Sequence, residues 1–270
     1  MSALRALPRL IATDLDGTLL GRDGRISPRS QSALERARAA GIELLMVTGR
    51  PPRHVALIEG AVALGGIVIC VNGALSYDLD RALVIREERL SALIARELVT
   101  ALRLRLPEIC FAVEVGLEFG WEPSYGLHSK RTEPPQLPIA DALTLCEYGV
   151  NKLIARHPRL SAEEMIERSS DLFTQRALAS HSGAPFVEIS AAEANKGAAL
   201  AAYCSERGIA RDAVWAFGDM PNDLSMLEWA GHSVAMGNAH PSVLAAAGEV
   251  TLSNEADGVA TVVERLLHGR

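Results

Sequence analysis

The chain has 270 residues, 49% hydrophobic and 22% charged, the make-up of an ordinary globular protein with apolar side chain enough for one large or two modest domains. Its 27 basic and 33 acidic residues leave a net charge of −6, and no lysine or arginine run reaches the density of a nucleic-acid footprint, which argues against a nucleic-acid partner. No apolar run approaches the roughly 18 residues of a membrane span, Pro8 and Arg9 interrupt any amino-terminal leader, and Cys70, Cys110, Cys146 and Cys204 lie too far apart for a CxxC or zinc-type cluster.

The expectation is therefore a cytoplasmic protein with reduced core cysteines and no membrane partner. In chain order, the apolar runs 10–13, 42–47 and 67–71 predict buried strands with helices between them. Ser27 as N-cap, Pro28 at the first helical position and Gly41 as the residue beyond the end delimit the first helix. Residues 74–87 resemble a hairpin, 91–106 a helix, and 109–115 a strand followed by an irregular stretch that contains Glu133-Pro134-Pro135-Gln136-Leu137-Pro138. Residues 150–156 predict a strand, Ser161 with Glu164 a capping box, and 175–179 with 186–189 a strand pair across His181-Ser182-Gly183. The βα alternation then resumes: helix 196–207 before Gly208, strand 213–217, helix 223–229, strand 234–236, helix 241–247, strand 250–252 and helix 259–267. The two ends read as halves of one doubly wound α/β core sheet, residues 1–81 and 188–270, with 82–187 an inserted α+β domain.

The sharpest signal is Asp14-Leu15-Asp16-Gly17-Thr18, directly after the first apolar strand. Its four fixed residue types would arise by chance in such a chain about three times in a thousand. Two carboxylates one residue apart, at the carboxyl end of a buried strand, sit where open α/β sheets bind ligands and can gather a hard divalent cation. A calcium loop fails, because its fifth and twelfth positions hold Thr18 and Arg25. Thr48-Gly49-Arg50 ends a second strand, where a hydroxyl beside free backbone N–H groups can hold a phosphoryl oxygen. Lys196 opens a helix, a position that on its own reads as solvated. Gly218-Asp219-Met220-Pro221-Asn222-Asp223 follows a third strand with two acids and an amide in five residues.

The order DxDGT, Thr, Lys and GDxxND resembles the haloacid dehalogenase superfamily, and the segments VTGR, VNGA, GDMPNDLSML and VAMGNA resemble its Cof-type (subclass IIB) phosphatases. Thr48 lies 32 positions after Asp16, and Lys196 lies 148 after Thr48. In that superfamily an insert in the second gap builds an α/β cap, so the resemblance makes 82–187 a cap domain. It implies Mg²⁺, held by Asp14, the main-chain carbonyl of Asp16 and Asp219, with Asp223 acting through water or behind the ligands. It implies a small phosphorylated metabolite as substrate, Asp14 as a nucleophile already ionised at its ordinary pKa, and Asp16 as the acid and base, kept protonated by burial and the neighbouring charge. Lys196 would offset the charge of Asp14 and the phosphate. Thr48 and Gly49 would hold the phosphoryl group, with Arg50, Asn72 and Asn222 as further contacts.

Trp121, Tyr125, His128, Lys130, Arg131, Asn151 and Lys152 stand out in the middle segment, but each reads as core or solvated surface and none is placed in the site. Competing readings are a phosphomutase or phosphotransferase with the same core residues, and a phospholigand-binding protein without turnover, which would have no need of all four acids. A Rossmann oxidoreductase would require a GxGxxG turn where Asp14 and Asp16 stand. Oligomeric state is left open.

Overall fold

The computed structural model describes residues 7–58, 60–128, 136–173 and 175–268. Contacts divide the chain into two units, residues 1–85 with 196–270, and residues 86–195. The strands in chain order are β1 (Leu10–Thr13), β2 (Glu43–Val47), β3 (Ile67–Cys70), β4 (Leu75–Asp78), β5 (Leu83–Glu87), β6 (Cys110–Val115), β7 (Glu118–Trp121), β8 (Lys152–Arg156), β9 (Ala177–Ser180), β10 (Val187–Ala191), β11 (Val214–Gly218), β12 (His232–Ala235) and β13 (Glu249–Val250).

The first unit is built on one eight-stranded sheet in the order β13-β12-β11-β1-β2-β3-β4-β5. The six strands from β13 to β3 run parallel, and β4 turns back antiparallel on β3. The chain winds outward from β1 in one direction through β2 and β3, and in the other from β11 through β12 to β13. The doubly wound order thus has its switch point between β1 and β11, where open α/β sheets bind ligands. β1 and β11 are buried along their whole lengths, as expected of central parallel strands read as continuous apolar runs. Register levels the strand ends: Thr13 stands opposite Met46 of β2 and Phe217 of β11, so the loops that follow leave the sheet side by side.

The first helix, Pro28–Ala39, forms as its caps dictate: the Ser27 side chain accepts from the Ser30 N–H, and Gly41 takes φ +87°. It packs on Gly258–His268, while Lys196–Glu206 packs on Leu224–Trp229.

The third strand stops one residue earlier than its apolar run. Val71 and Asn72 adopt φ +54° and +56°, and their N–H groups bond the carbonyls of Arg50 and Thr48 instead of continuing a ladder. A β-branched residue in that region costs about 1–2 kcal/mol. The turn thereby ties the ends of β2 and β3 together.

The second unit is a five-stranded sheet in the order β7-β6-β8-β10-β9, antiparallel at each pairing, with the helices Ala92–Arg105 and Ala162–Ser169. The α+β reading of the insert holds, and both bonds of the Ser161–Glu164 capping box are made. β7 was not legible: the stretch after Val115 turns at Gly116 and returns as four residues paired with β6. Two short helices, Pro123–His128 and Ala142–Leu145, also lie where an irregular loop was expected. Boundaries shift at Ala177–Ser180, Val187–Ala191, His232–Ala235 and Glu249–Val250, the last a two-residue edge strand. Lys130, Arg131 and Glu133 to Pro135 fall outside the described residues. No helix among the described residues is long and apolar enough to cross a membrane.

Asn151 is a staple of this second unit. Its Oδ1 accepts from the Gly116 N–H at 2.6 Å and its Nδ2 donates to the Glu88 carbonyl at 2.9 Å, next to the Leu90–Val150 bridge. With the side chain wholly buried, Asn151→Ala leaves both backbone groups without these partners and lowers unfolding free energy by about 2–3 kcal/mol, measured by urea denaturation with tryptophan fluorescence. A loss below about half a kcal/mol would contradict the staple.

Candidate active site

The site residues lie in the first unit, on loops at the carboxyl ends of β1, β2, β3 and β11 and at the start of the helix Lys196–Glu206. Asp14 follows β1, and its N–H is held by the Phe217 carbonyl at 3.0 Å. Its side chain is 7% exposed, and its Oδ1 lies 2.6 Å from the Lys196 ammonium. The same ammonium reaches Asp223 Oδ1 at 2.5 Å, and neither Lys196 nor Asp223 has any exposed side-chain surface. The helix-start lysine that reads as solvated in isolation is thus a buried cation between two acids.

Three glycines allow this closeness. Gly17 takes φ +78°, and a Cβ there would lie 2.2 Å from Asp219 Oδ2. A Cβ at Gly218 would meet Asp223 at 2.6 Å, and one at Gly197 would meet the Ser225 carbonyl at 2.2 Å, preventing the Lys196 helix from approaching. Asp223 organises its own loop, because its Oδ2 accepts from the N–H groups of Asp219 and Met220, each at 3.0 Å.

Burial dominates the electrostatics. It pushes Asp14 well above the ordinary carboxylate range; Lys196 opposes the shift, while Asp223 and Asp219 add to it. Burial therefore opposes the ionised form expected of Asp14, and Lys196 is the neighbour that favours it. Burial works against the charge of Lys196, but Asp14 and Asp223 outweigh it and raise the ammonium above its ordinary value. Asp219 is raised to about 7, first by burial and then by Asp223, with the hydrogen bond from Thr18 and the charge of Lys196 opposing.

Asp16 departs from the sequence reading. Its side chain is 52% exposed, so burial is not what shapes it. Both carboxylate oxygens instead take the fork of Arg50, Nε at 2.7 Å and Nη2 at 2.5 Å. Arg50, expected as a phosphate contact, makes that pair. Thr48 is buried, with its Oγ1 accepting from the Arg50 N–H at 3.1 Å, and Gly49 lies between them. Asn72 and Asn222 are brought together, Nδ2 of Asn222 donating to Oδ1 of Asn72 at 3.0 Å.

Two contributors were missed. Thr18 Oγ1 donates to Asp219 Oδ1 at 2.8 Å, so the last residue of the first motif orients an acid 201 positions away. Asn238 Nδ2 donates to the Gly17 carbonyl at 2.8 Å while its Oδ1 accepts from Asn254 N–H, bracing the first motif from beyond β12. Both stand inside quoted segments; what was lacking was the partner. Of the middle-segment residues, Tyr125 is buried in an apolar cluster with Cys110, Ala112, Phe119 and Ile154, on which Trp121 packs. Lys152 is buried in an ion pair with Glu188, so the core reading of both Tyr125 and Lys152 stands.

Asp14, Asp219 and Asp223 each offer a ligand atom within 4.8 Å of the others. Clustered carboxylate oxygens suit a hard cation such as Mg²⁺.

These features define a doubly wound α/β core with a buried aspartate beside a buried lysine at its switch point. The sequence matches the haloacid dehalogenase-like hydrolase family over residues 11–263, and the chain belongs to that family, as its motif order anticipated. It is 32% identical over 269 residues to pyridoxal phosphate phosphatase YbhA of Escherichia coli (strain K12), covering 94% of this chain and 97% of that protein. It is 30% identical over 286 residues to 5-amino-6-(5-phospho-D-ribitylamino)uracil phosphatase YwtE of Bacillus subtilis (strain 168), covering 97% and 99%. The solved structure of a haloacid dehalogenase-like hydrolase from B. subtilis superposes with a TM-score of 0.78 at 25% identity, covering 95% of this chain and 99% of that one.

Because Asp219 titrates at about 7 rather than at 3.8, the metal-free folded state keeps a proton that the unfolded chain has released. Its contribution to stability is full below the lower value and is lost as pH rises through the higher one. In chelator, the thermal midpoint is expected to be lower at about pH 8 than at about pH 5, Mg²⁺ to raise it most at the alkaline end, and Asp219→Asn to flatten the dependence. A metal-free midpoint that rises with pH, unaltered in the variant, would sink this account.

Proposed function

We propose that this protein is a Mg²⁺-dependent phosphatase of small phosphorylated metabolites, working through an aspartyl phosphate on Asp14. The observation that carries the proposal is the buried Asp14 carboxylate at the switch point, with one oxygen bound by Lys196 and with Asp219 and Asp223 beside it. The names of the relatives support the substrate class, since pyridoxal phosphate and a phosphoribityl compound are both small phosphate monoesters.

Phosphate monoesters hydrolyse extremely slowly in water, so the site must supply an in-line nucleophile and offset the charge on the phosphoryl oxygens. An Asp14 oxygen attacks phosphorus and the bond to the leaving oxygen breaks. A proton taken up from solvent by Asp16, once its carboxylate is released from Arg50, passes to that oxygen, and the alcohol departs. Water then attacks the aspartyl phosphate, Asp16 takes a proton from it, and inorganic phosphate leaves with Asp14 restored. Lys196 holds one Asp14 oxygen and favours its ionised form against burial, and Thr48 and Gly49 bind a phosphoryl oxygen. Asp14, Asp219 and the Asp16 carbonyl would hold Mg²⁺, which supplies positive charge to the phosphoryl oxygens; Asp223 holds Lys196 and the loop. A cytoplasmic location is part of the reading, in keeping with four buried cysteines outside any disulfide.

The test is phosphate release from a panel of phosphorylated metabolites, with Mg²⁺ and with chelator. Turnover should need the metal, and Asp14→Asn should lower it by at least about a thousandfold. Turnover that survives Asp14→Asn would remove the nucleophile from the proposal, and transfer to a sugar hydroxyl in place of water would make the protein a phosphotransferase.

A further inference from the structure

We infer that Asn238 and Asn254 are positioning residues that set the spacing of the metal-binding loops, and with it the preference for Mg²⁺ over a larger cation, an inference that rests on the Mg²⁺ reading above. The acids stand on two loops, Asp14 and Asp16 after β1 and Asp219 and Asp223 after β11. Like charges with ligand atoms within 4.8 Å of one another repel until a cation joins them. Lys196 bridges Asp14 and Asp223, whereas Asp219 is tied to the first loop by the neutral hydroxyl of Thr18.

A third loop, residues 236–240 after β12, spans the two. Its Met236 N–H donates to the Gly218 carbonyl at 3.1 Å and its His240 N–H to the Asp219 carbonyl at 2.8 Å. From the same loop Asn238 Nδ2 donates to the carbonyl of Gly17, the residue that packs directly against the Asp219 carboxylate, at 2.8 Å. Asn238 is exposed, and an exposed amide by itself would turn among rotamers; here its Oδ1 accepts from the Asn254 N–H at 2.9 Å, which fixes the end it presents. Asn254 completes the bracket, its own Nδ2 donating to the Leu20 carbonyl at 2.8 Å. Leu20 is bridged to Asp16, so the two amides hold the turn 16–20 at both of its ends.

Gly237 allows the two amide-bearing loops to meet, since a Cβ there would lie 2.9 Å from the Ser253 nitrogen and 3.0 Å from the Thr251 carbonyl oxygen. Both side-chain donors are neutral, so they hold carbonyls beside the acids without adding a charge that competes with the cation. Loops held in this way keep the site at one size. Mg²⁺ demands near-ideal octahedral geometry at short distances, whereas Ca²⁺ accepts about six to eight oxygens in flexible arrangements. Loosening the bracket therefore penalises the smaller ion more.

The experiment reads binding of the metal alone, without turnover. The thermal midpoint measured against added Mg²⁺ or Ca²⁺ gives an apparent dissociation constant for each ion. In Asn238→Ala and in Asn254→Ala, Mg²⁺ affinity is expected to fall by about tenfold or more and Ca²⁺ affinity by no more than about threefold. Asn151→Ala, destabilised in the second unit, controls for lost stability and should keep the native affinity for both ions. Mg²⁺ affinity within about threefold of native in either asparagine variant, or equal losses for the two ions, would overturn the inference. A native protein that binds neither ion would overturn the Mg²⁺ reading and the inference together. Turnover indifferent to Asp14→Asn would instead remove the nucleophile and leave the bracket standing.

Discussion

A single buried ammonium organises this protein's chemistry. Lys196 lies between Asp14 and Asp223 with no exposed side-chain surface, so three charges are withdrawn from water together. Such a triad is retained only when its partners satisfy each other, because an ion stripped of its partner in the interior costs several kcal/mol. Here the pairing also joins the sheet's two halves, since Asp14 follows β1 and Asp223 follows β11. The glycines at 17, 197 and 218 follow from the same requirement: each is a place where a side chain would keep the charges apart.

The site is layered outward from that triad. Asp219 is oriented by Thr18, the Gly17 turn is braced by Asn238, and the strained turn at Val71 and Asn72 holds the backbone of Thr48 and Arg50. Burial increases inward, and the most exposed acid, Asp16, is the one given an arginine. Each supporting contact crosses from one strand-end loop to another, so the geometry belongs to the loops as a set, while the sheet sets their spacing.

How much was legible in the sequence follows from where the partners lie. The parallel core could be read because its strands are short continuous apolar runs bounded by caps, and the acids because two motifs place them within a few residues of strand ends. Thr18 and Asn238 were visible but mute, since the Asp219 carboxylate and the Gly17 carbonyl that they bind stand 201 and 221 residues away and no local pattern marks them. Asp16 was expected to be buried because an acid that donates at working pH needs surroundings that hold its proton; instead the turn at Gly17, with φ +78°, leaves its side chain half exposed. β7 escaped because four residues with a glycine among them carry too little periodicity, and the stop of β3 at Cys70 was hidden because valine ordinarily extends a strand.

The position of β1 has a consequence for synthesis. It is flanked by β2, which emerges soon after it, and by β11, whose residues lie some 200 positions later in the chain. Until β11 leaves the ribosome, the nascent amino-terminal half carries a strand that the finished fold buries along its whole length, with one side of its backbone unpaired. At ordinary elongation rates the intervening chain takes about ten to forty seconds to make, long compared with collapse of the segments already exposed. An open apolar edge of that lifetime is a template for wrong pairing between neighbouring nascent chains. The architecture that places a nucleophile at the centre of the sheet therefore also sets a need for chaperone protection during translation, and slower growth or lower temperature should favour soluble yield.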